Sequence, residues 1–270
     1  MDEVEPDGPP RLVATDLDGT LVHSDGTVTA RTRAVLERLE ARGVPVVFVT
    51  GRPLRWTVEV FEHVGEHGLA VVSNGGLVWN VHERRVELER TIAPVTGLEV
   101  ARRLRAAVPG SAFAVETVAG IALEPAFLER HPIPEGSRRG RIEEIFDAPA
   151  LKLLARHEEL GPLDYWSRAE AAAGDLAEFT WSSDTTLLEI SAAGVTKAST
   201  LALVCARLGV DRRHVVAFGD MPNDLPMMEW AGRSYAMANA HRTVLDAADA
   251  VVPSNDDDGV AATLEALFVG

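Results

Sequence analysis

The sequence is short of three things, and each shortage removes a class of explanation. It has a single cysteine, Cys205, so neither an intrachain disulfide nor an all-cysteine metal site can form. Cys205 lies in the apolar stretch 201–206, where a packed core thiol is the better reading than a catalytic one. Positive charge is also scarce: 26 Lys and Arg stand against 41 Asp and Glu, a formal net charge of -15. That balance argues against nucleic acid as a partner, because binding a phosphate backbone needs a basic face. It leaves small phosphorylated ligands open, since a few backbone N–H groups and one or two cations can hold a phosphate inside an acidic protein. Long apolar runs are missing too, and none reaches membrane-spanning length. Residues 1–10 are acidic and Pro-rich, the opposite of a signal peptide's basic start and apolar centre. The expectation is a soluble, cytoplasmic protein with no membrane partner. There is no internal repeat and no low-complexity tract.

What is present suits a globular enzyme. With 46% hydrophobic residues in 270, the chain can bury a substantial interior, as one large α/β domain or as a core with an inserted second unit. The stretch Leu12-Val13-Ala14-Thr15-Asp16-Leu17-Asp18-Gly19-Thr20-Leu21 reads as a buried strand opening into a turn. Alternate strand residues share a side, so Asp16 and Asp18 can face one pocket while Leu17 faces away. Asp and Gly after a strand are also ordinary turn formers, so this stretch alone leaves site and turn both open.

The chain that follows repeats the pattern. A helix over 31–42, capped by Thr29 and ended by Gly43, leads to the apolar run 44–49, a strand buried on both faces that closes on Thr50-Gly51-Arg52-Pro53. A second helix runs from Pro53 to about Val64, and a third strand, 69–73, closes on Asn74-Gly75-Gly76. Strand and helix alternating with short connections predict a doubly wound parallel sheet, a Rossmann-like α/β core with its ligands at the carboxyl ends of the strands. From about Trp79 the runs give way to alternation, as in Arg85-Val86-Glu87-Leu88 and Phe113-Ala114-Val115-Glu116, which implies a sheet with one solvated face. Helices at 95–108 and 163–173 are expected to cover its other side. This predicts a separate α+β unit inserted at 81–186, with 1–80 and 187–270 forming the core. Leu187-Leu188-Glu189-Ile190 is taken as the return to the core, and Val215-Val216-Ala217-Phe218-Gly219-Asp220 as a further buried strand ending in a carboxylate.

Asp16, Asp18, Asp220 and Asp224 thus gather at strand ends or just beyond them. Uncompensated, they would raise one another's pKa values and destabilise the fold. A divalent cation resolves the conflict, and oxygen-only ligands with room for water and phosphate favour Mg²⁺. Around them lie the Thr50 hydroxyl, the fixed charge of Lys197 and backbone N–H groups beyond Asp16 and Thr50, the parts a phosphate needs. An Asp can attack phosphorus to form an aspartyl phosphate, and Asp18 can protonate the leaving oxygen and then draw a proton from water.

These residues also carry a family resemblance. Asp16-Leu17-Asp18-Gly19-Thr20, Thr50-Gly51-Arg52, Lys197 and Gly219-Asp220-Met221-Pro222-Asn223-Asp224 resemble, in order, the four motifs of the haloacid dehalogenase-like (HAD) hydrolases. Ser73-Asn74-Gly75-Gly76, Gly194-Val195-Thr196-Lys197-Ala198 and Met237-Ala238-Asn239-Ala240 resemble the Cof-type branch, mostly Mg²⁺-dependent small-molecule phosphatases with a large α/β cap inserted after the third core strand. The resemblance implies Asp16 as nucleophile and Asp18 as general acid and base. It implies a phosphate held by Thr50, Gly51 and Lys197, and Mg²⁺ bound by Asp220, Asp16 and the Asp18 carbonyl with support from Asp224. Asn223 would touch the phosphate or the Lys197 region, and Arg52, Asn74 and Gly75 are possible substrate contacts. Met221-Pro222 departs from the small residue or glycine of many relatives. The implied substrate is a small phosphorylated metabolite, with a sugar phosphate as the default; a phosphomutase or a non-catalytic phosphate-binding protein are the alternatives.

Other features get plainer readings. Asp256-Asp257-Asp258-Gly259 with Glu265 mimics part of a calcium loop but follows a strand, so a solvated loop and helix start is expected. His23 reads as a surface residue, and Arg138, Arg139 and Arg141 as a solvated cluster in the Pro- and Gly-rich loop 131–141. Trp79, Trp166 and Trp181 are expected to pack the inserted unit.

Overall fold

A computed structural model describes residues 9–64, 68–181 and 186–269; most of the acidic leader lies outside them. The chain divides into two compact units. One runs to Arg52 and includes Trp56–Leu88 and the chain from Lys197 onward; the other is Pro53–Arg55 with Glu89–Thr196.

The first unit is built on an eight-stranded sheet. Its strands are β1 (Leu12–Thr15), β2 (Val46–Val49), β3 (Leu69–Val72), β4 (Leu77–Asn80), β5 (Arg85–Glu89), β11 (Val215–Gly219), β12 (Arg233–Met237) and β13 (Ala250–Val252), in the order β13-β12-β11-β1-β2-β3-β4-β5. From β13 to β3 neighbours pair parallel, and β4 turns back antiparallel on β3. β1, β2 and β11 are buried throughout and apolar but for Thr15, because helices cover both faces of a parallel sheet. The helix α1 (Ala30–Ala41) starts where the Thr29 side chain accepts from the Thr32 N–H, and Gly43, at φ +70°, follows its end. The helix α2 (Leu54–Val64) follows β2, and α6 (Lys197–Leu208) packs Leu201, Val204 and Cys205 against Leu12, Val47 and Ala217. Cys205 is therefore a core residue, its thiol pushed up to about 11 by burial.

The second unit holds a five-stranded antiparallel sheet of β6 (Ala112–Thr117), β7 (Gly120–Leu123), β8 (Lys152–Arg156), β9 (Ala177–Thr180) and β10 (Leu187–Ala192), in the order β7-β6-β8-β10-β9. Strand alternation sends Phe113, Val115, Leu153, Ala155, Leu188 and Ile190 to one face, where they meet Val100 and Leu104 of α3 (Pro94–Ala107) and Tyr165 and Ala169 of α5 (Pro162–Ala173).

Three expectations are corrected. Arg85-Val86-Glu87-Leu88 is not part of the insert but the edge strand β5 of the first sheet; its alternation reflects an edge position. Trp79 accordingly lies in β4. Leu187-Leu188-Glu189-Ile190 is not the return to the core but β10, paired with β8 and β9. An apolar run interrupted by one Glu fits either sheet by pattern; what decides is Lys152, which buries beside Glu189. No helix among the described residues is long and apolar enough to cross a membrane.

Candidate active site

The site forms where β1, β2 and β11 end. After β1 the chain turns tightly around Leu17, whose carbonyl accepts from the Thr20, Leu21 and Val22 N–H groups at 3.3, 3.1 and 2.8 Å. Gly19 has φ +70°, and a Cβ there would collide with the Asp220 carboxylate, so both backbone and space require glycine. The Thr20 hydroxyl donates to Asp220 Oδ1 at 3.0 Å, and the Asn239 amide donates to the Gly19 carbonyl at 2.8 Å.

Beneath this turn lies a buried knot of charge. Lys197 Nζ, at the start of α6, donates to Asp16 Oδ1 and to Asp224 Oδ1, both at 2.6 Å. The other Asp224 oxygen accepts from the Asp220 and Met221 N–H groups, each at 3.1 Å, so Asp224 also shapes the loop that carries Asp220. Asp16, Asp220 and Asp224 each offer a carboxylate oxygen within 4.8 Å of the others, and all three are buried. Burial is the main force raising the Asp16 carboxyl well above its ordinary value; Lys197 opposes it, and Asp224, Asp220 and Asp18 add to it. Burial and then Asp224 push Asp220 up to about 7. Burial pulls the Lys197 ammonium down, but Asp16 and Asp224 outweigh it and hold it above the usual range. Three acids around one lysine leave negative charge uncompensated, and an all-oxygen donor set of this kind suits a hard divalent cation.

Asp18 is placed differently. Its side chain is 53% exposed and forms a two-pronged pair with Arg52, Nε to Oδ2 at 2.7 Å and Nη2 to Oδ1. Asp18 and Arg52 line a concavity of about 350 Å³ with His23, Ser24, Asn239 and Asp256. Arg52 thus engages Asp18, where a substrate contact was expected. Its own N–H donates to the Thr50 hydroxyl at 3.0 Å, with half-buried Gly51 between them.

A strained turn braces this loop. Ser73 and Asn74, at φ +54° and +55°, are left-handed although neither is glycine, which costs about 1–2 kcal/mol each. Their N–H groups reach the Arg52 and Thr50 carbonyls at 2.9 and 3.1 Å. Asn223 Nδ2 donates to Asn74 Oδ1 at 3.2 Å, and the Thr200 hydroxyl to the Gly75 carbonyl at 2.8 Å. Asn74 and Gly75, expected as substrate contacts, are buried and hold the Thr50 loop.

Arg138 pairs with Asp147 and Arg141 with Glu144 inside the second unit. Asp258 is not solvated: it accepts from the Thr29 and Thr32 hydroxyls at 2.7 and 3.1 Å and sits 3.1 Å from His23 Nε2, anchoring the start of α1. His23 is likewise held in place, not a loose surface group. Thr20, Asn239 and Thr200 also support the site, and the first two lie inside the stretches Asp16–Thr20 and Met237–Ala240.

Comparison with known proteins agrees with this geometry. Residues 13–264 match the profile of a haloacid dehalogenase-like hydrolase. The chain is 28% identical over 273 residues to a 5-amino-6-(5-phospho-D-ribitylamino)uracil phosphatase of Bacillus subtilis, covering 96% of this chain and 98% of that one. It is 29% identical over 264 residues to a phosphoglycolate phosphatase of Methanopyrus kandleri, covering 95% and 97%. A crystal structure from Streptococcus mutans superposes with a TM-score of 0.85 at 22% identity, covering 97% and 100%, a likeness of fold. With the profile spanning nearly its whole length and the charge knot at the strand ends, the chain belongs to the haloacid dehalogenase-like hydrolases.

Proposed function

We propose that the protein hydrolyses a small phosphate monoester, a sugar phosphate by preference, through an aspartyl phosphate on Asp16, with Mg²⁺ bound at the carboxylate knot. The observation that carries this is the excess of buried acid around Lys197 at the strand ends. Lys197 opposes the burial that raises the Asp16 carboxyl, and as a carboxylate Asp16 attacks phosphorus with one oxygen as the ester P–O bond breaks. Once its pair with Arg52 opens, a protonated Asp18 gives its proton to the leaving oxygen, then as a carboxylate takes one from water; that water's oxygen attacks phosphorus and the P–O bond to Asp16 breaks. Thr50, the Gly51 N–H and Lys197 hold the phosphoryl oxygens, and Asn223 orders the loop beside them.

Asp16, Asp220 and the Asp18 carbonyl would hold the cation, with Asp224 in support. When bound, it neutralises charge on the phosphoryl group. The two named relatives act on unlike alcohols, a ribityl compound and glycolate, and what their substrates share is the phosphate. We assign the choice of alcohol to the inserted unit, taken as 89–196.

An aryl phosphate with the purified protein tests this reading. Phosphate release is expected only with Mg²⁺ and is abolished by Asp16→Asn. Metal-independent release, or full activity in Asp16→Asn, contradicts the mechanism. Phosphoryl return to another hydroxyl without net release identifies a mutase, and binding without turnover a phosphate-binding protein.

A further inference from the structure

The strand β8 carries two buried cations, and only one is provided for. Lys152 and Arg156 lie four residues apart and so share a face of the sheet. Lys152, 1% exposed, meets the Glu189 carboxylate and lies opposite Glu116 of β6. Arg156, 3% exposed, lies between Ala112 of β6 and Leu187 of β10, and its guanidinium carbon is 5.6 Å from the centre of the Phe127 ring. Its Nε and Nη1 are buried without a hydrogen-bond partner.

The nearest charges do not supply one. Arg130 repels it, and the attraction of Glu129 and Glu158 falls short of contact. Glu158 Oε2 sits 3.5 Å from Arg130 Nη2, and Glu129 Oε1 accepts from the Arg130 and His131 N–H groups. A guanidinium stays charged in proteins, so burial without a counter-ion cannot be relieved by losing a proton. Nε–H and Nη1–H leave the planar guanidinium on different sides, so each can give a charge-assisted N–H···O bond to an oxyanion. The apolar neighbours offer no acceptor to Nε or Nη1.

We infer that Arg156 is an oxyanion-binding site of the second unit that takes a carboxylate or phosphate oxygen on its unpartnered Nε–H or Nη1–H. The group is either a free anion or an anionic substituent of the phosphorylated substrate. The second source rests on the proposed phosphatase function; the first does not.

Malonate at constant ionic strength is the probe, with the full chain. The wild type should melt at higher temperature as malonate rises. Arg156→Met should melt above the wild type without malonate, because the uncompensated charge is gone, and gain nothing from it. In the wild type the Arg156 Nε–H nuclear magnetic resonance signal should move saturably with malonate, a reading that stands even if the variant does not fold. A wild type that gains no more than Arg156→Met, a variant that melts lower without malonate, or an unmoved Nε–H signal overturns the site. Turnover separates the sources: a substrate anion predicts that Arg156→Met lowers kcat/KM about tenfold for esters bearing a carboxylate and leaves uncharged esters alone. Equal kcat/KM values with the malonate shift intact assign the site to a free anion. Failure of the phosphatase reading shows separately, as no Mg²⁺-dependent turnover in the wild type.

Discussion

The chain has two lysines, Lys152 and Lys197, and both are buried against carboxylates, yet their surroundings differ in one respect. In the second unit, Lys152 meets Glu189 and Arg55 meets Glu116, so the acids and bases beside Lys152 balance. In the first, Lys197 faces Asp16 and Asp224 with Asp220 close by, and the acids outnumber the base. A balanced buried pair is a structural element whose removal in halves is costly and whose removal as a whole is not. An unbalanced one costs stability for as long as the missing charge is absent, and such sites are where function is found. Burial of a lysine therefore does not mark the site; the arithmetic of charge around it does.

The largest effect that sharpens this comparison is on turnover. Lys197→Met should lower kcat about 10³-fold, because it removes a fixed charge from the proposed phosphoryl site, whereas Lys152→Met should leave kcat within about twofold; steady-state kinetics on one aryl phosphate checks both. Next is stability. Lys152→Met strands the Glu189 carboxylate and should cost about 3–5 kcal/mol in urea unfolding, while the double variant Lys152→Met with Glu189→Leu should recover most of it. Recovery absent from the double variant would break the claim that this pair is only structural.

A smaller effect lies in pH dependence. With its folded pKa raised to about 7, Asp220 binds more protons folded than unfolded, so its contribution to stability is present below its unfolded pKa and is lost as pH rises through the folded one. Without metal, Asp220→Asn should therefore melt above the wild type at about pH 8, and the gap should close towards about pH 4. Mg²⁺ should stabilise the wild type at about pH 8 and do little for the variant.

Much of this was legible in the sequence for a physical reason. β1, β2 and β11 are buried on both faces, which forces continuous apolar runs, and the carboxylates at their ends stand out against them. The pairing of Lys197 with Asp16 and Asp224 crosses 181 and 27 residues and is a property of the fold. β10 was misplaced because Leu187-Leu188-Glu189-Ile190 satisfies either sheet, and β5 because an edge strand alternates as a half-solvated one does. The Arg52–Asp18 pair and the left-handed Ser73 and Asn74 are invisible to periodicity, since they depend on where three loops meet.

The central claim is that the charge missing around Lys197 is a divalent cation. Calorimetric titration of Mg²⁺ into the metal-free protein near pH 7, in buffers of different ionisation enthalpy, tests it directly. The account predicts saturable binding with release of protons, as Asp220 gives up the proton it partly holds, lost in Asp220→Asn and unchanged in Lys152→Met. Absence of binding, or equal binding in Asp220→Asn, would contradict it.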